Sequence, residues 1–184
     1  MSKESEKNEI KLYKHLGEKL GIKNLHQVPR VTKVVVSTGI GDIKEDKKAI
    51  DLVAQDLTAI CGQKPKINLS KKSVSAFKLR NNQPVGLTVT LHGRRMYDFL
   101  SRLTGVAMPR IRDFKGLSNK AFDGKGNYCV GITEHVIMPE IKYDTINQSF
   151  GFQVNIRTTA KNNEQAKALL LELGFPFEKD NNKG

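Results

Sequence analysis

Cationic side chains dominate the middle of the chain, where no Asp or Glu lies between Asp56 and Asp98. The cations in this window are Lys64, Lys66, Lys71, Lys72, Lys78, Arg80, Arg94 and Arg95. Like charges repel, and no acidic residue within the window compensates these. The chemistry that such a stretch favours is therefore the binding of a polyanion. The alternative is a solvated loop that has no partner.

The residues that usually carry catalysis or bind metals are scattered. Histidines and cysteines stand apart from one another, and no Cys-x-x-Cys pair occurs; they are His15, His26, His92, His135, Cys61 and Cys129. The twelve residues from Asp123 to Glu134 have the length of a calcium loop. However, Lys125 and Tyr128 stand where that loop needs an oxygen ligand and a glycine. The sequence therefore predicts no metal, no cofactor and no enzyme.

A second hypothesis is an enzyme with a phosphate-bearing substrate, which would use the cationic window as an anion funnel. Such an enzyme needs a general base or a metal site near the funnel. The window contains no carboxylate, so this hypothesis is the weaker one.

Bulk composition narrows the class of partner. The chain has 184 residues, a net charge of +12 and 38% hydrophobic residues, which suits one compact domain. No apolar run is long enough to cross a membrane, and the polar start is not a secretory signal. We therefore expect a cytoplasmic protein that binds nucleic acid and no membrane. Residues 1–8 are predicted to be a disordered extension, residues 9–178 a single α+β RNA-binding domain, and residues 179–184 a flexible tail.

Hydrophobic periodicity places the cations on secondary structure. Helices are predicted over Glu9–Leu20, Lys47–Ile60, Arg94–Leu103 and Ala160–Leu173, and strands over Arg30–Ser37, Lys66–Leu69, Val85–Leu91, Val130–Val136 and Phe150–Thr158. This order predicts an α+β fold in which an antiparallel sheet carries helices packed on one face. Ser70–Pro84 is then a long basic loop between two strands. Arg94 and Arg95 fall in a first helical turn, where cations oppose the helix dipole and hint at a bound anion.

Ordered motifs run through almost the whole chain after the first helix. They include Gly62-Gln63-Lys64-Pro65, Lys72-Ser73-Val74-x-x-Phe77-Lys78-x-Arg80, Pro84-x-Gly86-x-x-Val89-Thr90-Leu91, Pro109-Arg110-x-Arg112-Asp113-Phe114-x-Gly116, Phe122-Asp123-Gly124-x-Gly126-Asn127-Tyr128 and Gly174-Phe175-Pro176-Phe177. Together they closely resemble the bacterial family of large-subunit ribosomal proteins that bind 5S rRNA, protein five of that subunit.

The resemblance implies a structural protein of the ribosome's central protuberance. Its expected partners are 5S rRNA, 23S rRNA, P-site tRNA, neighbouring large-subunit proteins and a small-subunit head protein across an intersubunit bridge. The implied 5S rRNA contacts are Ser37, Gln63, Lys64, Phe77, Thr90, His92, Arg94 and Arg95. The implied tRNA-contacting loop contains Lys71, Lys72, Ser73, Lys78 and Arg80, and further RNA or bridge contacts fall on Arg110, Arg112 and Lys115.

Two positions depart from the family pattern. Ser37 stands where the family commonly has Asn, and His92 stands where it commonly has Arg. A serine offers one short hydroxyl in place of a planar amide, and a histidine is largely neutral at pH 7. We therefore expect these two contacts to be weaker here or to be taken over by a neighbouring residue.

Overall fold

The structure is a computed structural model that describes residues 3–43, 46–141 and 149–178. Within these residues, four α-helices accompany a five-stranded antiparallel sheet of order β2-β3-β1-β5-β4, which confirms the α+β class. The helices are α1 (Lys3–Leu20), α2 (Lys47–Cys61), α3 (Gly93–Arg102) and α4 (Asn163–Glu172). The strands are β1 (Val31–Gly39), β2 (Lys66–Leu69), β3 (Pro84–Leu91), β4 (Tyr128–Ile132) and β5 (Phe152–Thr158).

The described chain divides into two compact units. The first contains residues 3–34, 92–130 and 155–178. In it, α1 packs against α4, and both contribute fully buried leucines such as Leu16 and Leu169. Tyr13 and Tyr97 share a hydrogen bond of 2.6 Å between their hydroxyls, and His15 forms an ion pair with Glu172. These contacts hold the helices that carry the first unit's cations.

The second unit contains residues 35–43, 46–91, 131–141 and 149–154. Helix α2 begins at Asp46, whose carboxylate accepts hydrogen bonds from the backbone N–H groups of Lys48 and Ala49, and it ends at Gly62 in the left-handed conformation. Its buried side chains, which include Leu57 and Ile60, lie on the face that packs against β3. This unit contains the basic segment between β2 and β3.

Two strands show the alternation that the sequence predicts. In β3, Leu87, Val89 and Leu91 are buried, while Thr90 is exposed. In β5, the buried residues are Phe152, Val154, Ile156 and Thr158, and those between them are half-buried or exposed. Period-two burial therefore leaves polar side chains on the solvent side of both strands.

The N-terminal helix is longer than predicted. Helix α1 begins at Lys3, so its backbone includes residues that the sequence analysis assigned to a disordered extension. Those residues are rich in Lys and Glu, which are good helix formers even without an apolar stripe. The predicted flexible tail at residues 179–184 lies outside the described residues, and the proposed domain limits stay predictions.

Strand β4 also differs from its prediction, since it covers Tyr128–Ile132 and not Val130–Val136. A short 3-10 turn, His135–Ile137, follows it. Thr133 and Glu134 are exposed between the strand and the turn, whereas His135 is fully buried against Phe150, with 4.0 Å between ring centroids. The β-branched residues Val130, Ile132 and Val136 favour a strand by type, and this preference does not show where the strand ends and the turn begins.

Helix α4 begins later than predicted because Asn162 caps it, its side chain accepting a hydrogen bond from the Gln165 N–H.

Among the described helices, none combines the length and the apolar character that a membrane span requires.

Candidate nucleic-acid interface

The basic loop, defined here as residues 70–83, joins β2 to β3. The two strands pair antiparallel, with Lys66 opposite Thr88 and a register shift between Asn68 and Leu69. Pro84 is the first residue of β3 and does not belong to the loop as predicted. The loop has structure of its own, with a 3-10 turn over Ser75–Phe77 and a bridge that pairs Val74 with Leu79.

The cations predicted for the loop are all exposed: Lys71, Lys72, Lys78 and Arg80. Ser73 is exposed as well, and its hydroxyl accepts a hydrogen bond of 3.0 Å from the Asn81 N–H. Lys78 adopts a left-handed backbone conformation at φ 48°, which is uncommon outside glycine. The cations are therefore available to a polyanion along a chain segment that is itself hydrogen-bonded.

Phe77 lies in the same loop and is 74% exposed, the most exposed of the large apolar side chains recorded. An exposed aromatic ring next to cations is a combination that single-stranded or looped RNA uses for base stacking. Apolar side chains are also partly exposed near it, with Val74 at 37% and Leu69 at 52%. The loop therefore offers both charge and an apolar ring to a ligand.

Gln63 and Thr90 lie next to each other in the second unit, as their predicted common role requires. The Gln63 side-chain Nε2 donates a hydrogen bond of 3.3 Å to the backbone oxygen of Thr90. Gln63 follows the helix cap Gly62 and is half-buried, whereas Thr90 is exposed on β3. Lys64 beside them is exposed, and Ser37 is half-buried on β1. The Gln63 side chain therefore connects the end of α2 to β3 by a hydrogen bond, and part of it remains accessible to solvent.

The remaining predicted contacts belong to the first unit. His92 precedes α3, and its Nδ1 lies 3.3 Å from the backbone oxygen of Thr32. Arg94 and Arg95 are exposed in the first turn of α3, as predicted. However, Arg94 has a protein partner, because its Nε lies 3.6 Å from an Asp98 carboxylate oxygen. This exposed pair is weak, so a bound anion beside Arg94 stays a prediction.

Arg110, Arg112 and Lys115 are exposed on the segment after α3. A short 3-10 turn, Met108–Arg110, carries the first of them, and Arg112 lies 3.8 Å from the carboxylate of Asp113 in an exposed ion pair. An exposed pair of this kind contributes little stability, so it leaves the arginine able to exchange partners.

The C-terminal segment, through Pro176 and Glu178, forms backbone hydrogen bonds with Leu117, which follows these cations in sequence. The Leu117 N–H donates to the Pro176 oxygen at 2.8 Å, and the Glu178 N–H donates to the Leu117 oxygen at 3.1 Å. Gly116 has φ 115°, and a Cβ there would lie 2.6 Å from the Glu178 nitrogen. Only glycine allows the two backbones to approach this closely.

The segment that begins at Asp123, whose spacing resembles a calcium loop, forms a turn. Groups of the protein itself donate hydrogen bonds to its carboxylate. The Asp123 carboxylate accepts hydrogen bonds from the Lys125 and Asn127 N–H groups at 2.8 and 3.0 Å and from the Asn127 side-chain amide at 2.6 Å. The hydrogen bond from the Asn127 side chain is the main cause that lowers the pKa of Asp123. Within the described parts of the chain, no cluster of His, Cys, Asp and Glu could hold a metal ion.

Sequence reasoning did not identify the pair formed by the buried His135 and the half-buried Asp56. The Phe150 N–H donates to Nδ1 of His135, and Nε2 lies 3.8 Å from an Asp56 carboxylate oxygen. Burial lowers the pKa of His135 and raises the pKa of Asp56, and each group partly offsets the other's shift. The residue next to His135 in sequence is Glu134, and nothing there indicates Asp56, which lies far away in sequence on α2.

Family models match most of the chain. A model of the C-terminus of the ribosomal L5 family matches residues 84–177, and a model of "Ribosomal protein L5" matches residues 24–80. The chain is 50% identical over 168 residues to the "Large ribosomal subunit protein uL5" of Variovorax paradoxus (strain S110), covering 91% of this chain and 94% of that protein. It is also 50% identical over 179 residues to the uL5 protein of Thermoanaerobacter sp. (strain X514), covering 97% of this chain and all of that protein.

Proposed function

Because the chain belongs to the L5 family of ribosomal proteins, and is therefore a structural and non-enzymatic constituent of the large ribosomal subunit, we propose that it binds 5S rRNA there. We further propose that it lies in the central protuberance, contacts P-site tRNA through the basic loop and takes part in an intersubunit bridge. The family membership makes the alternative of a phosphate-handling enzyme wrong.

The observation that carries the RNA assignment is Phe77, a ring that is 74% exposed within a loop of exposed cations. Leaving a large apolar ring in water is unfavourable, and stacking a base on it is worth about 1–3 kcal/mol. The surrounding cations attract phosphates without demanding a sequence. A partner that offers both bases and phosphates fits this surface better than a small anion does.

For 5S rRNA we propose the group at the end of α2 and on β3, with Gln63, Lys64 and Thr90 as its polar members. The proposed set also includes Ser37, Phe77, His92, Arg94 and Arg95. For Arg110, Arg112 and Lys115 we propose contacts with 23S rRNA, with neighbouring proteins or with the small-subunit head protein across the bridge, because all three are exposed cations on one short segment.

The deciding experiment replaces Lys71, Lys72, Lys78 and Arg80 together by Ala. We expect the free protein to fold and to bind 5S rRNA nearly as before, while P-site tRNA dissociates faster from ribosomes that carry the variant. If all four cations contact phosphates, the salt dependence of tRNA retention should fall by about 3 in the log–log slope, at roughly 0.7–0.9 per contact.

A matched control removes the same charge elsewhere, by replacing the exposed lysines Lys14, Lys23, Lys47 and Lys48 by Ala. The control should leave tRNA retention unchanged. If the loop variant loses 5S rRNA affinity while it retains tRNA normally, the loop belongs to the 5S rRNA site and the proposed division of roles is wrong.

A further inference from the structure

The basic loop is closed at its base by one buried serine. Ser70 is only 8% exposed, and its backbone N–H donates to the Gln83 oxygen at 2.8 Å. The backbone oxygen of Ser70 accepts a hydrogen bond from the Asn82 N–H at 3.0 Å. The Ser70 hydroxyl donates a hydrogen bond to the backbone oxygen of Lys72 at 2.7 Å. Both limbs of the loop are therefore hydrogen-bonded to the same residue where they leave the sheet.

Hydrogen bonds also connect the two limbs of the loop farther from the sheet. Val74 and Leu79 exchange two backbone hydrogen bonds, of 2.9 and 3.1 Å. The Ser73 hydroxyl accepts from the Asn81 N–H, and the Gln83 side-chain oxygen accepts from the Arg80 N–H at 3.1 Å. In these last two hydrogen bonds, uncharged side chains accept from the backbone N–H groups of Arg80 and its neighbour Asn81.

We propose that the basic loop is a preformed hairpin in the free protein, and that Ser70, Ser73 and Gln83 are positioning residues that hold its cations in place for RNA phosphates. The positioning role rests on the proposed function, whereas the preformed hairpin does not. A disordered loop would have to be ordered at the moment of binding, at a cost of affinity. A loop that is already hydrogen-bonded avoids most of that cost.

The first test measures amide hydrogen exchange in the free, full-length protein without RNA. A preformed hairpin predicts that the amides of Val74, Leu79 and Asn82 exchange more slowly than those of an unstructured chain. Ser73→Ala should speed exchange of the Asn81 amide about two- to tenfold, the range expected for one hydrogen bond. Exchange of all these amides at unprotected rates would overturn the hairpin whatever the RNA partner is.

Ser75→Ala is the matched control, because Ser75 is exposed in the same loop and no hydrogen bond of its hydroxyl is recorded among the described residues. It should leave the exchange of the Asn81 amide unchanged. Ser73→Thr keeps the accepting hydroxyl and should restore the protection that Ser73→Ala removes. Equal effects of Ser73→Ala and Ser75→Ala would overturn the role of Ser73.

The second test compares these variants on assembled ribosomes. Ser73→Ala should speed tRNA dissociation about two- to tenfold without changing its salt slope, because no charge is lost. Removal of the four cations lowers the slope itself. If that removal affects tRNA while Ser73→Ala does not, the positioning role fails and the proposed function survives. If neither change affects tRNA, both fail, and the exchange data still decide whether the hairpin is preformed.

Discussion

Comparing replacements of Gln63 and Thr90 separates a contribution to folding from a contribution to RNA recognition in the proposed 5S rRNA site. The structure gives Gln63 two roles, since its Nε2 donates to the Thr90 backbone oxygen at 3.3 Å while the side chain stays half-buried near solvent. Gln63→Ala should therefore lower both stability and affinity. Thr90→Val removes a hydroxyl from an exposed strand position and keeps the β-branched shape, so it should lower affinity alone.

The structure sets the size of each effect. The lost Gln63 hydrogen bond is neutral and long, so Gln63→Ala should cost about 0.5–1.5 kcal/mol of unfolding free energy. In a chain of this length, each kcal/mol lowers the melting temperature by about 2–4 °C. Each variant should also weaken 5S rRNA binding by about 1–3 kcal/mol if it leaves a buried RNA group unpaired.

The assay pairs thermal unfolding of the free protein with a binding titration against 5S rRNA at one fixed salt concentration. Gln63→Glu is a useful third variant, because it keeps the size of the side chain but removes the donor to Thr90. A large drop in melting temperature for either residue, together with unchanged affinity, would refute the role in RNA recognition. An unchanged melting temperature for Gln63→Ala would show that its hydrogen bond to Thr90 contributes nothing measurable.

Three further predictions concern stability. Burial holds the pKa of His135 below that of the unfolded chain, so stability should fall as pH drops through about 6.5, and His135→Gln should flatten this dependence in pH-dependent denaturant titrations. Gly126→Ala should lower the free energy of unfolding more than the matched Gly124→Ala does. Both sites have φ near 80°, but only at Gly126 would the new Cβ meet Ala160, at 2.8 Å. The melting temperatures of the two variants test this prediction. Burial raises the pKa of Tyr128 to about 12, so in an ultraviolet pH titration its phenol should ionise after ordinary tyrosines, and stability should fall as pH rises above about 10.

Charge and periodicity were enough to predict where a group of exposed cations lies in the chain. The cations of the basic loop were identified from the absence of acidic residues around them, and all are exposed. Strand β2 was predicted at its observed limits because Gly62 and Pro65 interrupt regular structure before it. Helix α2 was predicted to within one residue at its C-terminal end because its apolar stripe is regular. These features are local in sequence, so no knowledge of the tertiary structure was needed to find them.

Features that depend on distant pairing were not predictable. The hydroxyls of Tyr13 and Tyr97 share a hydrogen bond although 84 residues separate them in sequence. His135 meets Asp56 through tertiary packing, and the turn that contains it was predicted as part of a strand. In each case the sequence contains the right residue types but not the geometry that makes them partners.

The basic loop shows why composition alone mispredicts such segments. A stretch with several cations, one aromatic ring and many polar residues is typical of a disordered polyanion-binding arm. Here the same polar residues satisfy the backbone, with Ser70 at the base and Ser73 and Gln83 farther out. Serine, asparagine and glutamine at a strand end are the residues that make turns by side-chain hydrogen bonds. The uncharged residues of a basic loop therefore carry the information about its shape, while the charged ones carry the information about its partner.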